Sequence, residues 1–113
     1  MNPNLKTDIN KAIGKVFKNY RTSHKYTQEK MAERLGISVK YISRIENGNG
    51  GVKIETLVHY MDVLGIVPNM LFQGLIKNSD VKLQMKLSDK ISTLSQDKIK
   101  FLLQFVDILA NLK

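Results

Sequence analysis

The chain has 113 residues, enough for one compact domain or a small domain with an appendage, and eighteen Lys and Arg against ten Asp and Glu give a net charge of +8. The absence of cysteine excludes a disulfide framework and a thiolate metal site, and His24 and His59, the two histidines, are not at metal-ligand spacing. No apolar run approaches the ~20 residues of a membrane span and the N-terminal stretch lacks the apolar core of a signal peptide, so a cytoplasmic location with no membrane partner is expected; the charge favours a polyanion, nucleic acid first.

In chain order, residues 1–8 read as a polar, flexible tail containing Pro3. From Ile9, the residues Ile9, Ile13, Val16, Phe17 and Tyr20 form the stripe of an amphipathic helix, with Lys11, Lys15 and Lys18 opposite and Arg21 at its end. Thr27 is a good N-cap for a second helix, and Tyr26 and Met31 stand at the spacing of a hydrophobic staple. Its inner face is Met31, Ala32 and Leu35, and Gly36 stops it. A third helix follows at once from Ser38, with Ile42 and Ile45 facing inward and Asn47-Gly48 as its end. After the Asn49-Gly50-Gly51 loop, Ile54, Leu57, Tyr60, Met61 and Leu64 mark a fourth stripe, closed by Gly65. Pro68 suits the first turn of a short fifth helix reaching Phe72. Five short helices with brief connections predict an all-α domain over residues 9–74.

Residues 75–113 differ in character. Ser79 is the expected cap of a helix with Val81, Leu87, Ile91 and Leu94 as apolar points, and Ser95 caps another with Asp97 in its first turn. The last helix is apolar on two sides: Ile99, Leu102, Val106 and Leu109 on one, Phe101, Phe105, Ile108 and Leu112 on the other. One small domain covers one side, and a partner is needed for the other. The region is therefore expected to form a helical hairpin for dimerisation or another interaction, with Phe101, Leu102, Phe105, Val106, Ile108, Leu109 and Leu112 at a homodimer interface.

The run from Tyr26 to Asn47 carries the chemistry. A helix fits the DNA major groove, where each base pair shows its own donor and acceptor pattern, provided a rigid support holds it out from the body. Here Ala32 allows a close crossing, Gly36 makes the bend, and Ile42 and Ile45 anchor the third helix. Ser38, Val39, Lys40, Ser43 and Arg44 are left free. No nucleophile, acid–base pair or metal cluster is recognisable, and the Gly-Asn-Gly-Gly stretch lacks the Gly-Lys-Ser/Thr and preceding strand of a P-loop, so no enzyme and no cofactor are expected.

The segments IGKVFKNYR (13–21), TQEKMAERLGISVKYISRIENG (27–48) and IETLVHYMDVLGI (54–66) resemble the Xre, or lambda-repressor-like (Cro/CI-type), helix-turn-helix family. Gln28, Ala32, Gly36, Ile42, Ile45, Glu46 and Gly48 all fall at that family's spacing. The resemblance implies a five-helix lambda-repressor-like domain in a transcriptional regulator that binds double-stranded DNA, as a dimeric repressor on a near-palindromic operator. It implies base reading by Ser38, Val39, Lys40, Ser43 and Arg44, with Arg44 able to pair with a guanine and Val39 able to pack on a thymine methyl. It implies phosphate contacts from Arg21, Gln28, Tyr41, Asn47, Asn49 and Lys53, with Arg21 and Glu46 tying the first helix to the third. The chain departs from the family at Lys25, where glycine is frequent, which predicts a different exit from the first helix or another phosphate contact. It departs again at Val52-Lys53, where Pro-Ser is common, which predicts a weaker cap on the fourth helix. The alternative is an antitoxin-type or other protein-interaction module, whose C-terminal helices hold a partner protein or peptide and whose DNA binding serves autoregulation.

Overall fold

In the computed structural model, which describes residues 5–112, every regular element is a helix. The helices are α1 (Leu5–Ser23), α2 (Gln28–Leu35), α3 (Val39–Glu46), α4 (Ile54–Leu64), α5 (Pro68–Phe72), α6 (Ser79–Ile91) and α7 (Gln96–Ala110). The chain divides into two compact units with the boundary between Leu75 and Ile76.

In the first unit, α1 begins at Leu5, four residues before the expected start at Ile9. Residues 5–8 of the expected tail are therefore helical, with Asp8 placed in the first turn where a carboxylate favours the helix dipole; residues 1–4 lie outside the described residues. The core is built by α1 packing on α3, α4 and α5, and by α2 packing on α3 and α4. Phe17, Met31, Ile42, Tyr60 and Leu71 are its largest fully buried side chains. Phe17 from α1 and Tyr60 from α4 stack with ring centroids 4.1 Å apart and planes 2° apart, so two helices distant in sequence share one aromatic contact. The helical stripes predict most of this core. Ile54 is the exception, because it is the first residue of α4 and lies beyond the packed face set by Leu57, Tyr60 and Leu64; it is 66% exposed.

Local caps fix the geometry of α2 and α3. The Thr27 hydroxyl accepts from the Lys30 N–H, and the Ser38 hydroxyl accepts from the Tyr41 N–H, each at 3.0 Å. Between them Gly36 takes φ +66°, a left-handed conformation that costs any other residue. Lys25 also has φ +60°, so the chain leaves α1 through the conformation a glycine would take. The different exit expected at this position is thus corrected: the path is kept and the lysine carries the strain.

α1 and α3 approach most closely at Gly14. A Cβ there would stand 2.3 Å from the Ile45 carbonyl oxygen and 2.9 Å from that of Glu46. This contact brings the C-terminal end of α3 directly against the α1 backbone.

In the second unit, α6 is capped by Asn78 rather than Ser79, its side-chain oxygen accepting from the Asp80 and Val81 N–H groups. Two adjacent residues can each cap, and the helix begins one residue earlier than the serine would allow. Ser95 caps α7 as expected, and Asp97 lies in its first turn. Neither α6 nor α7 contains a buried residue. Met85, Ile91, Ile99 and Leu102 are half-buried, and every other residue of the two helices is exposed.

Candidate nucleic-acid interface

The exposed side of α3 presents Val39, Lys40 and Arg44, with Ser43 half-buried beside them. Its one carboxylate, Glu46, is turned inward and 8% exposed, as is Arg21 of α1. The Arg21 Nε–H donates to Glu46 Oε2 at 2.6 Å and its Nη2–H to Oε1 at 2.9 Å, a two-pronged ion pair across 25 residues of sequence. The Arg21 Nη1–H donates to the Tyr26 carbonyl at 2.8 Å. Bonding to Glu46 holds the Arg21 pKa above its ordinary value against the opposing effect of burial. The pair locks α1 to the C-terminal end of α3, and three of the five guanidinium N–H groups of Arg21 are used inside the fold.

Gln28 joins the same network, its side-chain N–H donating to Glu46 Oε1 at 3.2 Å. A carboxylate only accepts, so the NH₂ end of the amide must face Glu46. That fixes which way the amide points at the start of α2. The half-buried Gln28 keeps its second amide N–H and its carbonyl for another group.

The other sequence-predicted residues divide by what their donors already do. Ser38 accepts as the N-cap of α3 and keeps its own O–H to give. The exposed Asn47 donates its amide to Ser43 Oγ at 3.4 Å. The backbone N–H groups of Asn47, Gly48 and Asn49 all close the end of α3, bonding to Ser43, Ile45 and Arg44 carbonyls. At Asn47 and Asn49 the side chains, not the backbone N–H groups, remain for a phosphate.

Tyr41 is half-buried, and its hydroxyl accepts the Lys53 N–H at 3.0 Å. This ties α3 to the residue preceding α4, where no side chain caps the helix. The weak cap expected at Val52-Lys53 is thus found, together with a brace from Tyr41. Ser38, Lys40, Tyr41, Arg44, Gly51 and Lys53 line an open concavity of about 510 Å³. Among the described residues no carboxylate pairs with Lys40, Arg44 or Lys53. The concavity is cationic without internal neutralisation, and its field is directed at whatever anion enters.

Sequence reasoning missed three elements of this site. The Gln28–Glu46 hydrogen bond joins two helices whose crossing no local pattern fixes. Gly14 holds the α1–α3 approach, and a lone glycine inside an amphipathic helix was the signal for it. The Tyr41–Lys53 hydrogen bond had no signal, because it depends on how the loop after α3 folds back.

A short capped helix, a left-handed glycine and a second capped helix with a basic outward face define a helix-turn-helix protein. The helix-turn-helix domain family matches residues 14–75, and the chain belongs to that family. It is 33% identical over 62 residues to the SPbeta prophage-derived uncharacterized HTH-type transcriptional regulator YonR of Bacillus subtilis (strain 168). That match covers 55% of this chain and 57% of YonR, so the chain spans a little over half the length of this relative. Among solved structures, the clp gene regulator ClgR from Corynebacterium glutamicum superposes with a TM-score of 0.54 at 21% identity, covering 87% of this chain and 93% of ClgR. A chain of the SinR protein/SinI protein complex superposes with a TM-score of 0.53 at 22% identity, covering 88% of this chain and 99% of the other. At such identities the two structures support the lambda-repressor-like fold alone. No helix among the described residues is long and apolar enough to cross a membrane.

Proposed function

We propose that the chain is a transcriptional regulator that binds double-stranded DNA in a sequence-specific manner, docking α3 in the major groove, and that it works as a dimeric repressor on a near-palindromic operator in the cytoplasm. The observation that carries this reading is the face of α3. Its single carboxylate is consumed by Arg21, so only Val39, Lys40, Ser43 and Arg44 are offered outward, on a helix fixed at its start by Ser38 and at its end by Glu46. Arg44 and Lys40 supply donors to base edges, and Val39 supplies an apolar contact for a thymine methyl. Lys53, Asn47, Asn49, the free N–H of Gln28 and the O–H of Tyr41 surround them as phosphate contacts, which position the helix without reading sequence.

Dimerisation rests on the second unit. Phe101, Phe105 and Ile108 of α7, with Leu112 just beyond it, are 73%, 51%, 61% and 67% exposed; on the other face Ile99 and Leu102 are half-buried, while Val106 and Leu109 are 47% and 49% exposed. Two aromatic rings and two branched side chains left in water favour association of this face with a second copy. The same face supports a second reading, a different protein partner, and one of the structural neighbours belongs to a complex of two named proteins, SinR and SinI.

Selection of bound duplexes from a random-sequence pool with the full chain tests the reading. The expected product is a two-fold symmetric motif with half-sites about 10 base pairs apart, one turn of DNA. In a parallel selection Arg44→Ala should weaken binding by ~1–3 kcal/mol and flatten one column in each half-site. Failure to enrich any motif would overturn sequence-specific binding. An enriched motif without symmetry would overturn the dimeric arrangement.

A further inference from the structure

The Arg44 guanidinium lies beside two groups. Its central carbon lies 5.6 Å from the centroid of the Tyr41 ring, one helical turn earlier on α3, within the range of a cation–π contact. Gly50 also lies beside it: an added Cβ there would stand 3.0 Å from Arg44 Nε and 3.5 Å from its Cζ. The Tyr41 ring is itself fixed, because its hydroxyl accepts the Lys53 N–H. An arginine alone on a helix samples many rotamers and loses side-chain entropy when ordered. One with a ring and a peptide against it has lost part of that freedom before any ligand arrives.

We infer that Tyr41 and Gly50 are positioning residues for base recognition: together they hold the Arg44 guanidinium at the mouth of the Lys40–Lys53 concavity in a near-binding rotamer. Tyr41 does so through its ring, and its hydroxyl couples that ring to the α3–α4 loop. Gly50 does so by lacking a side chain. Its φ is not left-handed, so the requirement at this position is space beside Arg44 and not backbone freedom. The inference rests on Arg44 meeting DNA bases as proposed above.

Gly50→Ala separates positioning from folding. Alanine suits the backbone there, and the atoms its methyl meets belong to a flexible arginine, so the fold is kept while the guanidinium is displaced. The full chain and the variants Gly50→Ala, Tyr41→Phe, Tyr41→Leu and Arg44→Ala are each used to select from the same random-sequence duplex pool. The affinity of the recovered motif is then measured against salt. Arg44→Ala identifies the column that Arg44 reads. Gly50→Ala should reduce discrimination at that column about three- to tenfold and leave the other columns unchanged; Tyr41→Leu, which also removes a proposed phosphate contact and the tie to Lys53, should weaken binding to all duplexes alike and, in addition, reduce discrimination at that column about three- to tenfold. Tyr41→Phe should retain most of the discrimination, because the ring remains. A motif whose Arg44 column survives both Gly50→Ala and Tyr41→Leu overturns the inference and leaves the DNA-binding reading standing, as does a loss spread evenly over all columns. If the unaltered chain enriches no motif, the DNA-binding reading fails and this inference with it.

Discussion

The two units use apolar side chains in opposite ways. Residues up to Leu75 enclose a core of twelve buried hydrophobic side chains, while α6 and α7 bury none and leave Phe101, Leu103, Phe105 and Ile108 more than half exposed. The first unit satisfies itself. Its helices are short, between five and nineteen residues, but caps, the stacked Phe17–Tyr60 pair and the Arg21–Glu46 tie fix their crossings. The second has well-formed helices with good caps and nothing to hold their apolar faces out of water. Helix formation and burial are separate requirements, and α7 meets only the first. On the function proposed above, recognition is built on a self-sufficient support, and the second unit offers the surface that would join two such supports.

The largest expected effect breaks the self-sufficiency of the first unit. Glu46→Ala strands a buried guanidinium, and removing one partner of a buried pair costs about 3–5 kcal/mol. It also frees the Gln28 amide. Chemical denaturation of the full chain should show that loss in the transition reporting on the first unit. A loss below about 1 kcal/mol would mean that Arg21 finds other partners and that the tie is not what closes the unit.

The next effect falls on the second unit and should leave the first unchanged. Phe105→Glu combined with Ile108→Glu places two charges on the exposed face of α7. If that face joins two copies, the dissociation constant measured by sedimentation should rise at least thirtyfold, the equivalent of about 2 kcal/mol. The unfolding of the first unit should move by less than about 0.5 kcal/mol, as for surface substitutions. A double variant that remains dimeric would place the interface elsewhere.

What could be read from the sequence follows the same division. Thr27, Ser38, Gly36, Pro68 and Ser95 act within one turn of themselves, and their roles were legible because capping is local chemistry. The outward face of α3 was legible as well, since Ile42 and Ile45 fix which side is inward. Gly14 against Ile45, Gln28 on Glu46 and Tyr41 under Lys53 were not, because each depends on how two elements cross. Arg21 shows the limit from the other side. Its pairing with Glu46 was expected, but the third bond, to the Tyr26 carbonyl, and the depth of its burial follow only from how the chain leaves α1. Lys25 shows that a residue type predicts a preference and not a path: the backbone keeps the left-handed turn, and the neighbouring hydrogen bonds from His24, Lys25 and Tyr26 to the end of α1 hold it there.

The smallest expected effect sharpens the claim that the first unit satisfies itself, because it concerns the one buried side-chain polar atom without a partner among the described residues, the Tyr60 hydroxyl. A buried hydroxyl lacking a hydrogen bond has lost its water and gained nothing in exchange, so its removal should cost nothing. Tyr60→Phe keeps the stacking on Phe17 and should leave stability at pH 7 unchanged or slightly raised. The pH dependence gives a second reading. Burial, and after it the Glu46 carboxylate, push the Tyr60 phenol well above its ordinary value of 10.0. The folded state therefore holds this proton more tightly than the unfolded chain. Its contribution is complete below pH 10 and is lost progressively as the pH rises from there towards the folded-state value, by at most ~1.4 kcal/mol per pH unit. Tyr60→Phe abolishes that contribution, so denaturation series above pH 10 should fall less steeply for the variant than for the unaltered chain, while the two agree at neutral pH. A cost above 1 kcal/mol at pH 7 would show that the hydroxyl does have a partner. The core of the first unit would then contain a polar link, and its self-sufficiency would rest on more than apolar packing and the Arg21–Glu46 pair.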